Sequence, residues 1–199
     1  MDEIQKEIVA IEKSIVTLFN ERKIKEILKT VDEPKSIIMT VNAGMLPIDH
    51  WTQDAEVGGG RILGESCHYI DLIRFLTETK IETCNITSLN NQTKDTATIN
   101  ILFEDGSIGS IHYFSNGSKK FPKERLEIFC SGKILQLNNF KILRGFGWKK
   151  FKKLKLWKQD KGHYNEIQAF VESIIQGKPN PIPFEEIVEV MKTTLQIAF

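Results

Sequence analysis

The chain has 199 residues, 41% of them hydrophobic, and a formal net charge of +1, enough for one ordinary domain with its own core and short for two. So small a net charge excludes the whole-chain positive field of a general nucleic-acid binder, and no apolar run is long enough to cross a bilayer. Cys67, Cys84 and Cys130 are odd in number, widely spaced and free of any CxxC pair, which argues against a disulfide framework and against a metal site. Together with an amino end, MDEIQKEIVAIEKS, that lacks a secretory layout, they point to a cytoplasmic protein.

Between Met1 and about Thr30, Ile4, Ile8, Ile11, Ile15 and Leu18 recur at alternating steps of four and three, and Ile24, Ile27 and Leu28 continue after a break near Asn20. This spacing predicts an amphipathic helix whose stripe suits docking on a sheet; it is short for a coiled coil. Residues 1–30 are read as a helical segment ahead of a main domain over 31–199. After the turn Asp32-Glu33-Pro34, Ser36 to Val41 reads as a strand, and Asn42, Gly44, Pro47 and Asp49 mark a loop.

The run GGGRILGESCHYIDLIRFL, Gly58 to Leu76, places three glycines ahead of a largely apolar helix. Arg61, Glu65 and His68 stand at i, i+4 and i+7 and share a stripe of an α-helical projection. Because apolar residues occupy nearly every other direction, a charged stripe needs a reason. A His–Glu pair in a cleft can move a proton near neutral pH; a structural ion pair under a loop is the competing reading.

Short β segments follow: Ile81 to Ser88, Thr96 to Phe103, Ser107 to Phe114, Arg125 to Cys130 and Lys133 to Leu137. Asp105-Gly106 predicts a two-residue hairpin turn of primed type, and Ser131-Gly132 does the same for the next pair, so an antiparallel meander is expected. The strip from Trp148 to Lys158 carries Lys149, Lys150, Lys152, Lys153, Lys155 and Lys158 around Phe151 and Trp157; a lysine-rich edge strand that blocks edge-to-edge association is favoured over a nucleic-acid strip. Helical patterns over His163 to Gln176 and Phe184 to Ile197 close the chain, the last reading as cut, with no cap. Helix, strand, helix, a run of strands and then helices describe an α+β fold, a predominantly antiparallel open sheet with helices packed on one face. No G-x-G-x-x-G, no G-x-x-x-x-G-K-S/T and no H-E-x-x-H occurs, so neither a nucleotide cradle nor a metal site is evident.

WTQDAEVGGGRILGESCHYIDLIRFL, ERLEIFCSGKILQLNNFKILRGFGWKKFKKLKLWKQDKG and GKPNPIPFEEI resemble, in order and spacing, the carboxy-terminal domain of the glucose-fructose oxidoreductase and inositol dehydrogenase family (Gfo/Idh/MocA), particularly members linked to bacterial surface polysaccharides. The resemblance runs from about Pro34 to the end. It implies a substrate-binding and oligomerisation domain whose NAD or NADP is held by a separate Rossmann domain, with no cofactor expected to bind this chain alone. It also implies a sugar-type substrate, a homo-oligomer built through the sheet, and room for a separate Rossmann partner; nucleic acid and membrane are not expected partners. In the family an aspartate four residues before a histidine helps orient and deprotonate the sugar hydroxyl being oxidised. Here His68 matches that histidine, Gly64 stands at the aspartate position and Glu65 is one residue later. His68 and Glu65 are therefore the catalytic candidates, with Asn42, His50, Trp51 and Arg61 as candidate pocket residues. The alternative is a non-enzymatic binding or assembly module derived from such an enzyme.

Overall fold

The computed structural model describes residues 19–54, 57–159 and 163–198; the stripe from Ile4 to Leu18 lies outside them. Helix α1, Phe19–Leu28, leads into strand β1, Ser36–Asn42. A short 3-10 turn at Trp51–Gln53 and a π turn at Ile62–Ser66 come before helix α2, Cys67–Thr77. Strands β2 (Ile81–Ser88), β3 (Ala97–Phe103), β4 (Ile108–Phe114), β5 (Glu124–Cys130), β6 (Lys133–Asn138), β7 (Ile142–Phe146) and β8 (Lys153–Lys155) follow, then helices α3 (His163–Ile175) and α4 (Phe184–Ala198). The fold is α+β.

All eight strands form one open sheet in the order β2-β3-β4-β1-β5-β6-β7-β8. This corrects the simple meander: β1 is inserted between β4 and β5, parallel to the first and antiparallel to the second. Hairpin signals report only neighbours joined by a tight turn, so they place β3 beside β4 and β5 beside β6 but say nothing of where an earlier strand slots in. Every other pairing is antiparallel.

Two turns differ from expectation. Gly106 has a φ of +81° while Asp105 is not among the positive-φ residues, so β3 and β4 are joined by a type I turn closed by a left-handed glycine, with Gly106 N–H donating to the Phe103 carbonyl at 2.9 Å. Ser131 and Gly132 are both positive, at 48° and 68°, the primed turn the sequence predicts. A second such turn, Asn139-Phe140, joins β6 to β7 with φ of 48° and 47°; it has no glycine to advertise it.

Strict alternation on the strands builds the core. Ile37, Met39 and Val41 of β1, Ile99, Ile101 and Phe103 of β3, Ile111 and Tyr113 of β4, and Leu126 and Ile128 of β5 are all buried on one face. Residues between them, such as Thr40, Thr98, Ser110, His112 and Gln136, are only half-buried, the layout of an antiparallel sheet with one wet face. Burying each large aliphatic side chain contributes about 1.5–3 kcal/mol. Ile70, Ile73 and Leu76 of α2 and Ile24, Ile27 and Leu28 of α1 join that core. Helices α2 and α4 pack together and are tied by Arg74, which reaches Glu189 at 3.3 Å and Glu186 at 3.5 Å; Glu189 also accepts from the Ile81 N–H at the start of β2. The site's helix is thus anchored to a sheet edge at one end and leaves its glycine-led end beside the β1–β4 strand ends.

Candidate functional site

The chain leaves β1 at Asn42 and must return to start α2, and three features fix that return. His50 caps the short 3-10 turn, its Nδ1 2.8 Å from Thr52 Oγ1. The Asp54 carbonyl accepts from the N–H groups of Gly58 and Gly59 at 2.9 and 3.0 Å. A Cβ at Gly58 would stand 2.5 Å from the Trp51 carbonyl oxygen, so the loop can fold this closely only against glycine.

Arg61, 4% exposed, gathers the return loop and the helix. It donates from Nη1 to the Gly44 carbonyl at 2.8 Å, from Nη2 to the Ala43 carbonyl at 3.3 Å, and from Nε to Glu65 Oε1 at 3.0 Å. Its guanidinium also lies 3.7 Å from the Asp95 carboxylate and 5.5 Å from the centre of the Tyr113 ring. Asp95, itself 3% exposed, accepts from Ser115 Oγ at 2.7 Å, from Gln53 Nε2 at 3.1 Å and from Thr93 Oγ1. Burial alone pushes the Asp95 carboxyl up, but the three donors and the Arg61 charge outweigh it and hold the group below the usual carboxylate range.

Glu65 is a third exposed at its side chain, held by Arg61 from beneath and open above. Under it Tyr113 is fully buried; its Oη makes no well-formed hydrogen bond, yet burial and then the nearby Glu65 carboxylate raise its pKa well above the ordinary phenol value. Tyr69, one turn along, donates to Glu124 Oε1 at 3.4 Å, and Gln159 Nε2 reaches the other oxygen at 3.2 Å. Glu124 is 2% exposed, and burial followed by its charge raises the Tyr69 phenol strongly. A polar layer therefore runs between the glycine-led helix and the sheet.

His68 is exposed on the first turn of α2, and no side-chain hydrogen bond or ion pair ties its imidazole to another described residue. The segment before it is a π turn, Ile62–Ser66, which fits one more residue into the turn than an α-helix does. The α-helical projection of Arg61, Glu65 and His68 is therefore interrupted: Arg61 and Glu65 are bonded, whereas no side-chain bond joins His68 to either.

The other candidates fall as follows. Asn42 sits at the end of β1 and spends its side-chain N–H groups on the carbonyls of Ser118 and Phe121, at 2.8 and 3.2 Å, which pins the 115–123 loop; a Cβ at Gly117 would collide with its amide oxygen. Trp51 is 63% exposed and its ring centre lies 5.9 Å from that of His50, which is half-buried. Asp95, Tyr69, Tyr113 and Glu124 were not singled out by sequence reading. The available signals were weak: two tyrosines at core-facing positions, and acids next to a strand start, both of which ordinary strands and loops also show. A shallow depression lined by Pro34, Ser36, Phe129 and Ser131 lies at the far end of β1 and contains no residue of this site.

No strand-glycine-turn-helix unit of the nucleotide-binding kind occurs among the described residues. The one parallel pair, β1 and β4, is not joined through a glycine-rich turn, and Gly58 to Gly60 follow a 3-10 turn and open on a π turn. The residues present do not fit a pyrophosphate cradle.

Among solved structures, a probable dehydrogenase from Thermotoga maritima superposes with a TM-score of 0.68 at 19% identity, over 92% of this chain and 60% of its own. A UDP-N-acetylglucosamine 3-dehydrogenase from Acidithiobacillus ferrooxidans gives 0.67 at 18%, over 83% and 52%. GenD2 from gentamicin A biosynthesis, solved in complex with NAD, gives 0.65 at 16%, over 92% and 58%. The chain thus spans 60% or less of each of these proteins, and at such identities the likeness concerns the fold. No curated protein matches the chain. A family model described as GFO/IDH/MocA C-terminal domain matches residues 22–136, more than half of the sequence, and the chain therefore belongs to that family.

Proposed function

We propose that this chain is the substrate-binding half of an NAD(P)-dependent sugar or sugar-nucleotide oxidoreductase, inactive alone, with His68 as the acid–base residue and Glu65 as its carboxylate partner. The observation that carries the reading is the asymmetry within the Arg61–Glu65 pair. A buried guanidinium fixes one carboxylate oxygen from below, while the rest of Glu65 and the imidazole of His68 stay open to a ligand. Glu65 stands one residue after the family's aspartate position and three before His68, so its longer side chain is the carboxylate offered in place of the missing aspartate. In this reading a neutral His68 takes the proton of a sugar hydroxyl, Glu65 orients that hydroxyl, and His50 and Trp51 offer a polar and an aromatic edge to the sugar. Arg61 and Asn42 act from beneath, the first by holding Glu65 and the loop carbonyls and the second by holding the 115–123 loop.

The hydride acceptor belongs outside the described fold. Length supports this, since the relatives are longer by roughly the size of another domain. The same reading makes the chain cytoplasmic, lets the wet face of the sheet pair with a second copy, and leaves room for a Rossmann partner. Calorimetry with UDP-N-acetylglucosamine and with NADH tests it. Expected is saturable binding of the sugar nucleotide, weakened about tenfold by Glu65→Ala or His68→Ala, a loss of ~1.4 kcal/mol, and no saturable binding of NADH. Sugar-nucleotide binding that is absent, or unaffected by both substitutions, would favour the non-enzymatic module.

A further inference from the structure

Residues 133–158 contain eight lysines and one arginine and not a single acidic residue, so the rest of a chain whose net charge is +1 is negative. The near-neutral total hides a strong segregation of charge. This stretch is β6, β7 and β8, the edge of the sheet. Arg144, Lys149, Lys150, Lys152, Lys153, Lys155 and Lys158 are all exposed. None of them forms an ion pair among the described residues.

Edge protection alone leaves two observations unexplained. In the β7–β8 register Arg144 stands directly opposite Lys153, and like charges facing each other across a strand pair are destabilising. A blocking device needs charge at the edge but not two cations opposed. Just past β8, Trp157 is 90% exposed, and Phe146 on β7 is 50% exposed; protecting an edge does not call for bare aromatics beside the lysines.

We propose that the β7–β8 edge is a docking surface for the anionic face of a lipid bilayer. An anionic surface relieves the Arg144–Lys153 opposition and gathers many point charges at once, with lysines near such a surface acting additively and within a Debye length. Trp157 supplies the interfacial anchor, since indole rings favour the headgroup level. Single-stranded nucleic acid fits less well. It is gripped by a groove with successive stacking rings, and its phosphates favour arginine forks; here there is an open edge, one nearly bare indole and one arginine among nine cations.

The test is co-sedimentation of the full chain with vesicles of phosphatidylcholine alone or with about a third phosphatidylglycerol, alongside titration with a single-stranded 20-mer. Expected is binding to the anionic vesicles at low salt that falls steeply as salt rises, no binding to the neutral ones, and a blue shift of indole emission that Trp157→Ala removes. Lys153→Glu with Lys155→Glu is expected to weaken binding at least tenfold. Because these substitutions remove the like-charge opposition, their melting midpoint should be no lower than that of the parent, which separates lost docking from lost folding. Absent binding at low salt, equal binding to neutral vesicles, parent-like binding by the doubly substituted protein, or tighter binding to the oligonucleotide would each overturn the proposal.

Discussion

Replacing Arg61 by Met keeps a long flexible side chain and removes the charge and all its donors. The loss can be worked from the geometry. Glu65 is a third exposed, so its share is that of a surface pair, a few tenths of a kcal/mol. The buried Gly44 carbonyl loses its 2.8 Å donor, which costs about 1–3 kcal/mol if nothing replaces it. Asp95 is left as a buried charge without its cation, and breaking a buried pair from one side costs about 3–5 kcal/mol. Because Ser115, Gln53 and Thr93 still donate to Asp95, the total is expected near the lower end of the sum, about 4 kcal/mol. Urea unfolding followed by far-ultraviolet circular dichroism measures it, with Asp95→Asn as the second edge of a double-mutant cycle. Once Asp95 is neutral no stranded charge remains, so the double variant is expected to be more stable than the summed losses by about 1–3 kcal/mol. A loss for Arg61→Met below about 1 kcal/mol, or additivity within about 0.5 kcal/mol, would refute the view that Arg61 holds this site together.

The pH dependence has a definite sign. Asp95 is depressed below its ordinary value of 3.8, so its contribution is complete above that pH and is lost as pH falls through the folded-state value; the stability gap between parent and Asp95→Asn should therefore hold steady on acidification down to its ordinary value and shrink only below it, and a gap that widens there would contradict the assignment. Gly58→Ala sets a Cβ 2.5 Å from the Trp51 carbonyl oxygen and 2.6 Å from Thr52 Cα, and should cost about 1–3 kcal/mol in urea unfolding with altered tryptophan emission. Burial pushes the Cys84 thiol up to about 11 and raises Cys67 and Cys130 as well; all three should react with a disulfide reagent near neutral pH more slowly than free cysteine, and one fast thiol would contradict the burial.

The strands that read clearly in the sequence are those whose physics is local. Alternation in ATINILF and the glycine of the Asp105-Gly106 turn found β3 and β4, and Ser131-Gly132 found the next hairpin, since a side-chain period of two and a positive φ are properties of a few consecutive residues. Strand β7 escaped because its leading turn uses Asn139 and Phe140 at positive φ, and Phe is not a residue that announces such a turn. The place of β1 escaped because a parallel neighbour whose paired residues lie 72 positions away leaves no local mark. At the site, the pairing of Arg61 with Glu65 was legible from their spacing of four. The π turn was not, because a single widened turn inside an apolar helical run leaves no mark in the residue pattern. Asp95 was invisible for a similar reason: it becomes a partner of Arg61 only when the loop before β3 is brought beside the end of β1.

The proposed function requires His68 and Glu65 to face a sugar ligand and the nicotinamide to be held outside this fold. Proton–nitrogen spectra of histidine-labelled protein, with His68 assigned by His68→Gln, test this directly during titration with UDP-N-acetylglucosamine and then with NADH. The account predicts saturable shifts of the His68 ring signals with the sugar nucleotide, reduced in Glu65→Ala, and none with NADH. A His68 ring that does not respond to the sugar nucleotide, or a saturable response to NADH, would contradict it.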